Sequence, residues 1–112
     1  MPFKNYCSVK GLKLSSRSRS TLKIIDYKVD LANYLSSFMI TSPILEIFRT
    51  KGGGVINTAQ DIYEYHWDEF GNAMASINPV LRKQVYNLAK QEELYTYGQE
   101  QKFWKCVSEA AL

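Results

Sequence analysis

His66 is the only histidine of the chain, set in the run Glu64-Tyr65-His66-Trp67-Asp68-Glu69. An imidazole among carboxylates has the side-chain types that general acid–base chemistry needs. The spacing argues against that use. On a helix Glu64 and Asp68 lie on other faces than His66, and His66 itself falls on the apolar stripe. It therefore reads as a packed core or interface histidine, and a small enzyme built on it is the third functional reading. No catalytic residue, cofactor or metal set is assigned, because no second histidine or cysteine pair lies near enough to complete a site.

The other reactive side chains are as sparse. Cys7 and Cys106 stand near opposite ends and match no zinc or redox spacing. A chain of 112 residues needs no covalent staple, so they read as free thiols in a reducing, intracellular compartment. No serine sits in a G-x-S-x-G turn. In Thr50-Lys51-Gly52-Gly53-Gly54 the lysine precedes the glycines, the reverse of a phosphate-binding loop, so this stretch reads as a connector.

Charge is more informative. Met1 to Ile25 holds six basic residues (Lys4, Lys10, Lys13, Arg17, Arg19, Lys23) and no acid. The remainder carries eight basic residues and all eleven acids, so the net charge of +3 conceals a basic segment joined to an acidic body. Such a segment neutralises something acidic. With Phe3 and Tyr6 interleaved it could meet phosphates and bases, but an acidic protein surface or anionic lipid would serve equally. The reading preferred is a protein partner: a non-catalytic helical interaction protein, a small subunit or accessory factor of a larger assembly. Lys4, Lys10, Lys13, Arg17, Arg19, Lys23 and Lys28 form the expected partner-binding set. The alternative is a stand-alone nucleic-acid-binding protein that adds Arg82, Lys83 and Lys90, on or near one side of a helix.

The elements that must position these residues are predicted to be helices. Residues 1–20 read as an extended basic arm, since Ser15-Ser16-Arg17-Ser18-Arg19-Ser20 favours a solvated, loop-like chain. Residues 21–112 read as one helical domain. Its first helix runs from Thr21 to Ile40, with Ile24, Tyr27, Leu31, Tyr34, Leu35 and Phe38 as the inward stripe. A short helix from Pro43 to Thr50 ends at the glycines. A third spans Ala59 to Ile77, capped by Thr58 with Asp61 in its first turn, and buries Ile62, Tyr63, His66, Phe70, Ala73, Met74 and Ile77. Asn78-Pro79 starts a fourth, since asparagine caps well and proline suits the first helical position. Leu81, Val85, Leu88 and Ala89 face inward there, and Gly98 ends it near Tyr97. A fifth runs from Gln99 to Ala111 with Phe103, Val107 and Ala110 inward. The fold class is all-α, a bundle of about five helices with an extended basic arm.

No run approaches the roughly 18 apolar residues of a membrane-spanning helix. The stretch Lys4 to Arg19 is basic, serine-rich and free of acid, the composition of an organelle transit peptide, so organelle import is the alternative location.

Overall fold

The computed structural model describes residues 7–29, 44 and 60–112, and these are mainly helical. In chain order they form β1 (Val9–Leu12), α1 (Ser16–Val29), β2 (Gln60–Ile62), α2 (Glu64–Ala75), α3 (Pro79–Tyr95) and α4 (Gly98–Ala110).

The start of α3 follows the local chemistry. The Asn78 side-chain oxygen accepts from the Val80 N–H at 2.8 Å, and Pro79 occupies the first turn. Val85 and Ala89 are buried, with Leu81 and Leu88 packed beside them. At the far end the Thr96 hydroxyl donates to the Glu92 carbonyl at 2.8 Å. Gly98 then takes a φ of 66°, a left-handed backbone that glycine adopts without penalty. The chain reverses there, and α4 packs along α3.

The core is aromatic at its centre. Trp67, Phe70, Phe103 and Trp104 are fully buried, joining α2 to α4. Trp67 meets Phe70 edge-on at 5.6 Å and Phe103 at 5.7 Å, and Phe103 meets Trp104 at 5.1 Å. Offset and edge contacts of this kind suit the ring quadrupoles.

The described part of the expected arm is folded. β1 pairs antiparallel with β2, Val9 opposite Ile62 and Leu12 opposite Gln60. One extra residue on β1 makes a bulge, within which Gly11 holds a φ of 65°. Helix α1 begins at Ser16, not Thr21, because the Ser15 hydroxyl accepts from the Ser18 N–H at 3.3 Å and so caps the helix. Residues 1–6, including Lys4, Phe3 and Tyr6, lie outside the described residues.

Two further expectations change. In α1 the buried residues are Ser18, Thr21, Leu22, Ile25 and Val29, whereas Ile24 and Tyr27 face solvent; the rest of the expected stripe, Leu31, Tyr34, Leu35 and Phe38, lies outside the described residues. The helix has two apolar rows, and tertiary bonds at its first turn select which row points inward. Helix α2 starts at Glu64, since Gln60–Ile62 is taken into the strand pair. Tyr63 replaces Thr58 as the cap residue and is 42% exposed. Four helices are seen among the described residues. The expected Pro43 to Thr50 helix lies outside them except for Ile44, which is fully buried. The Lys51 to Asn57 loop lies outside them as well.

Cys7 and Cys106 are joined by a disulfide, with Cα atoms 5.7 Å apart, contrary to the free-thiol expectation. The reason is proximity: β1 rests on α4, which brings the two ends of the chain together. Among the described residues, no helix is long and apolar enough to cross a membrane.

Candidate functional site

Arg17 and two serines of the basic segment are bound by acids of the same chain. Glu92 lies on the inward row of α3 that Val85 and Ala89 define, and its side chain is almost wholly buried. The Arg17 Nε donates to both of its carboxylate oxygens at 3.1 Å. The Arg17 guanidinium also lies 4.2 Å above the centroid of the Tyr95 ring. A planar cation can satisfy a carboxylate and an aromatic face together, which an ammonium does less well.

Glu100, in the first turn of α4, gathers the serines. Its Oε2 accepts from the Ser15 backbone N–H at 3.0 Å, from the Ser15 hydroxyl at 2.8 Å, and from the Ser18 hydroxyl. Ser18 in turn accepts from the Trp104 indole N–H at 2.8 Å. A carboxylate here also favours the positive end of the α4 dipole. Arg19 turns back locally, and its Nη1 donates to the Leu14 carbonyl at 3.1 Å.

These contacts divide the expected partner-binding set. Arg17 and Arg19 are engaged within the molecule, and Lys4 lies outside the described residues. Lys10, Lys13, Lys23 and Lys28 are exposed. Lys23 and Lys28 share the outward face of α1 with Ser20, Ile24 and Tyr27, at helical steps of three and four. Tyr27 is 90% exposed and Ile24 45%. Apolar side chains are thus held in water between cations.

The α3 cations also form a row. Arg82, Tyr86 and Lys90 follow one another at steps of four, with Lys83 beside them. Lys90 pairs with Glu93 at 3.3 Å and lies 6.0 Å from the Tyr86 ring centroid. Arg82 and Lys83 instead line a concavity of about 340 Å³ with Pro79, Tyr86, Ala111 and Leu112.

His66 is buried at the start of α2, where its Nδ1 accepts from the Tyr63 N–H at 3.0 Å. The His66 backbone N–H donates to the Tyr63 carbonyl at the same distance. The ring caps the helix, and burial lowers its pKa below the usual 6.5. Among the described residues, no three His, Cys, Asp or Glu side chains gather as a metal site.

Glu92 and Glu100 are the partners that the charge pattern missed. A signal for Glu92 was present: it continues the inward row of Val85 and Ala89, and a carboxylate on an apolar row calls for a buried cation or donor. Glu100 carried no such mark. Neither a protein-family model, nor a curated protein, nor a solved structure matches this chain.

Proposed function

We propose that this is a non-catalytic helical interaction protein, a small subunit or accessory factor of a larger assembly, that meets an acidic partner surface through the outward face of α1. The observation that supports it is the exposure of Tyr27 and Ile24 between Lys23 and Lys28. Water-exposed aromatic and aliphatic groups supply contact area once covered, and the flanking ammonium groups select an acidic surface and speed encounter. Lys10 and Lys13 extend the positive field. Arg17 and Arg19 serve inwardly, fixing the helix that presents the face. The setting proposed is intracellular, in a compartment where the Cys7–Cys106 bond survives, since a reducing cytosol would open it.

A photo-crosslinker placed at Tyr27 tests this reading. Crosslinks to one protein, resistant to nuclease and lost in a Lys23→Glu, Lys28→Glu variant, support it. A crosslinking pattern unchanged by charge reversal removes it. A second reading, nucleic-acid binding, rests on the Arg82, Lys83, Tyr86 and Lys90 row. Its check is a salt titration of RNA binding, and an affinity that does not fall with salt excludes it.

A further inference from the structure

We infer that the concavity between the start of α3 and the end of α4 binds a nucleoside monophosphate unit. Pro79, Arg82, Lys83 and Tyr86 recur at helical steps of three and four, so they share one face of α3. Ala111 and Leu112 close the opposite wall, and the space of about 340 Å³ lies in the range of small-molecule sites.

The charges define the ligand. Neither Arg82 nor Lys83 has an ion-pair partner among the described residues, whereas Arg17 and Lys90 each have one. Two adjacent cations with no acidic side chain among the lining residues match a phosphate monoester, which carries a charge of about −1.5 to −2 at neutral pH. A carboxylate would leave half of that charge unmatched. The guanidinium offers a fork to two phosphate oxygens, and the ammonium adds a point charge. Tyr86 is half-buried, one turn beyond Arg82, and gives a flat ring against which a base can stack. Pro79, Ala111 and Leu112 supply an aliphatic wall for the rest of the base or the ribose. The site stands apart from the α1 face and deepens the nucleic-acid reading, because a single strand with a terminal phosphate carries the same monoester as the free nucleotide.

Calorimetric titration of the intact protein with adenosine monophosphate tests the site, alongside adenosine, inorganic phosphate, dodecanoate and a six-nucleotide single-stranded RNA with a 5′-phosphate. Saturable binding of the monophosphate is expected, weakened about tenfold by Arg82→Gln or Lys83→Gln, each loss being that of one charge-assisted contact. Tyr86→Leu should weaken the monophosphate and leave inorganic phosphate unaffected. Tyr86 packs partly against the core, so leucine keeps an apolar side chain there, and an unaltered melting temperature certifies the fold of each variant. Tighter binding of the RNA than of the monophosphate, sensitive to the same variants, identifies the strand as the source. Equal or weaker binding identifies the free nucleotide, in which case the nucleic-acid reading fails and the site stands. The inference is overturned if no monophosphate binding is detected at millimolar concentration, if adenosine binds as well, if dodecanoate binds better, or if the cation variants bind unchanged.

Discussion

Arg17 and Glu92 are 75 residues apart in sequence, yet the Arg17 Nε bridges both Glu92 oxygens at 3.1 Å. The carboxylate is buried while the arginine side chain remains 48% exposed. Desolvation of the carboxylate offsets part of the attraction and water screens the exposed guanidinium, so the net coupling is modest. Arg17→Gln, Glu92→Gln and the double variant, compared in urea, should show a coupling of about 1 kcal/mol. A coupling of zero would mean that the pair contributes nothing to holding α1.

The orientation of α1 predicts opposite behaviour for neighbouring residues. Leu22→Ala or Ile25→Ala opens a cavity in the core and should cost about 2–4 kcal/mol. Ile24→Ala and Tyr27→Ala remove side chains that touch water and should stay within about 0.5 kcal/mol of the parent. Denaturation midpoints decide between this orientation and its reverse, with Ile24 and Tyr27 inside.

His66 links stability to pH. Its folded pKa is lowered by burial, and its Nδ1 accepts the Tyr63 N–H, so the folded state holds a neutral ring. The unfolded chain takes up the proton first, near pH 6.5. Stability is therefore full above that value, falls as pH drops through it toward the lowered folded pKa, and levels off below. His66→Gln keeps an acceptor at the capping position and should flatten this slope below pH 7. A slope unchanged in the variant assigns the pH dependence to other groups. His66→Ala removes the acceptor and should cost about 1–2 kcal/mol at neutral pH.

Reduction of the Cys7–Cys106 bond releases the denatured chain from a loop spanning a sequence separation of 99. Closing so long a loop restricts the unfolded state strongly, and loss of such a bond typically costs about 2–5 kcal/mol. Thermal melts with and without reductant, repeated on a Cys7→Ser, Cys106→Ser variant, should show that loss, and reductant should then leave the variant unaffected.

Helices were legible where local chemistry and tertiary packing agree. The Asn78-Pro79 start, the Val85 and Ala89 face and the Phe103 and Val107 face all follow from spacing and capping. Three features resisted because their causes lie elsewhere in the chain. Ser16 to Ser20 has the composition of a loop; the Ser15 cap is local, but Glu100 and Trp104, which hold Ser15 and Ser18 in place, are more than 80 residues away. Gln60 to Ile62 fits a helical repeat, but its backbone bonds go to β1. Ile24 and Tyr27 keep a helical period on either face, and spacing cannot tell inside from outside when both rows are apolar. The candidate site was legible in its charges but not in their division: nothing in the spacing of Arg17 and Lys23 says that one turns inward and the other outward.

The bulge at Gly11 and the bond at Cys7 lie in the same short segment, and Cys106 sits one turn from the end of α4. Load applied to the two ends of the chain would therefore pass from Cys7 directly into the last turn of α4 through sulfur, bypassing β1 and every helix between them. Likewise a protease that nicks the backbone anywhere between those cysteines would leave a single covalent molecule, whose fragments separate only when a thiol is added.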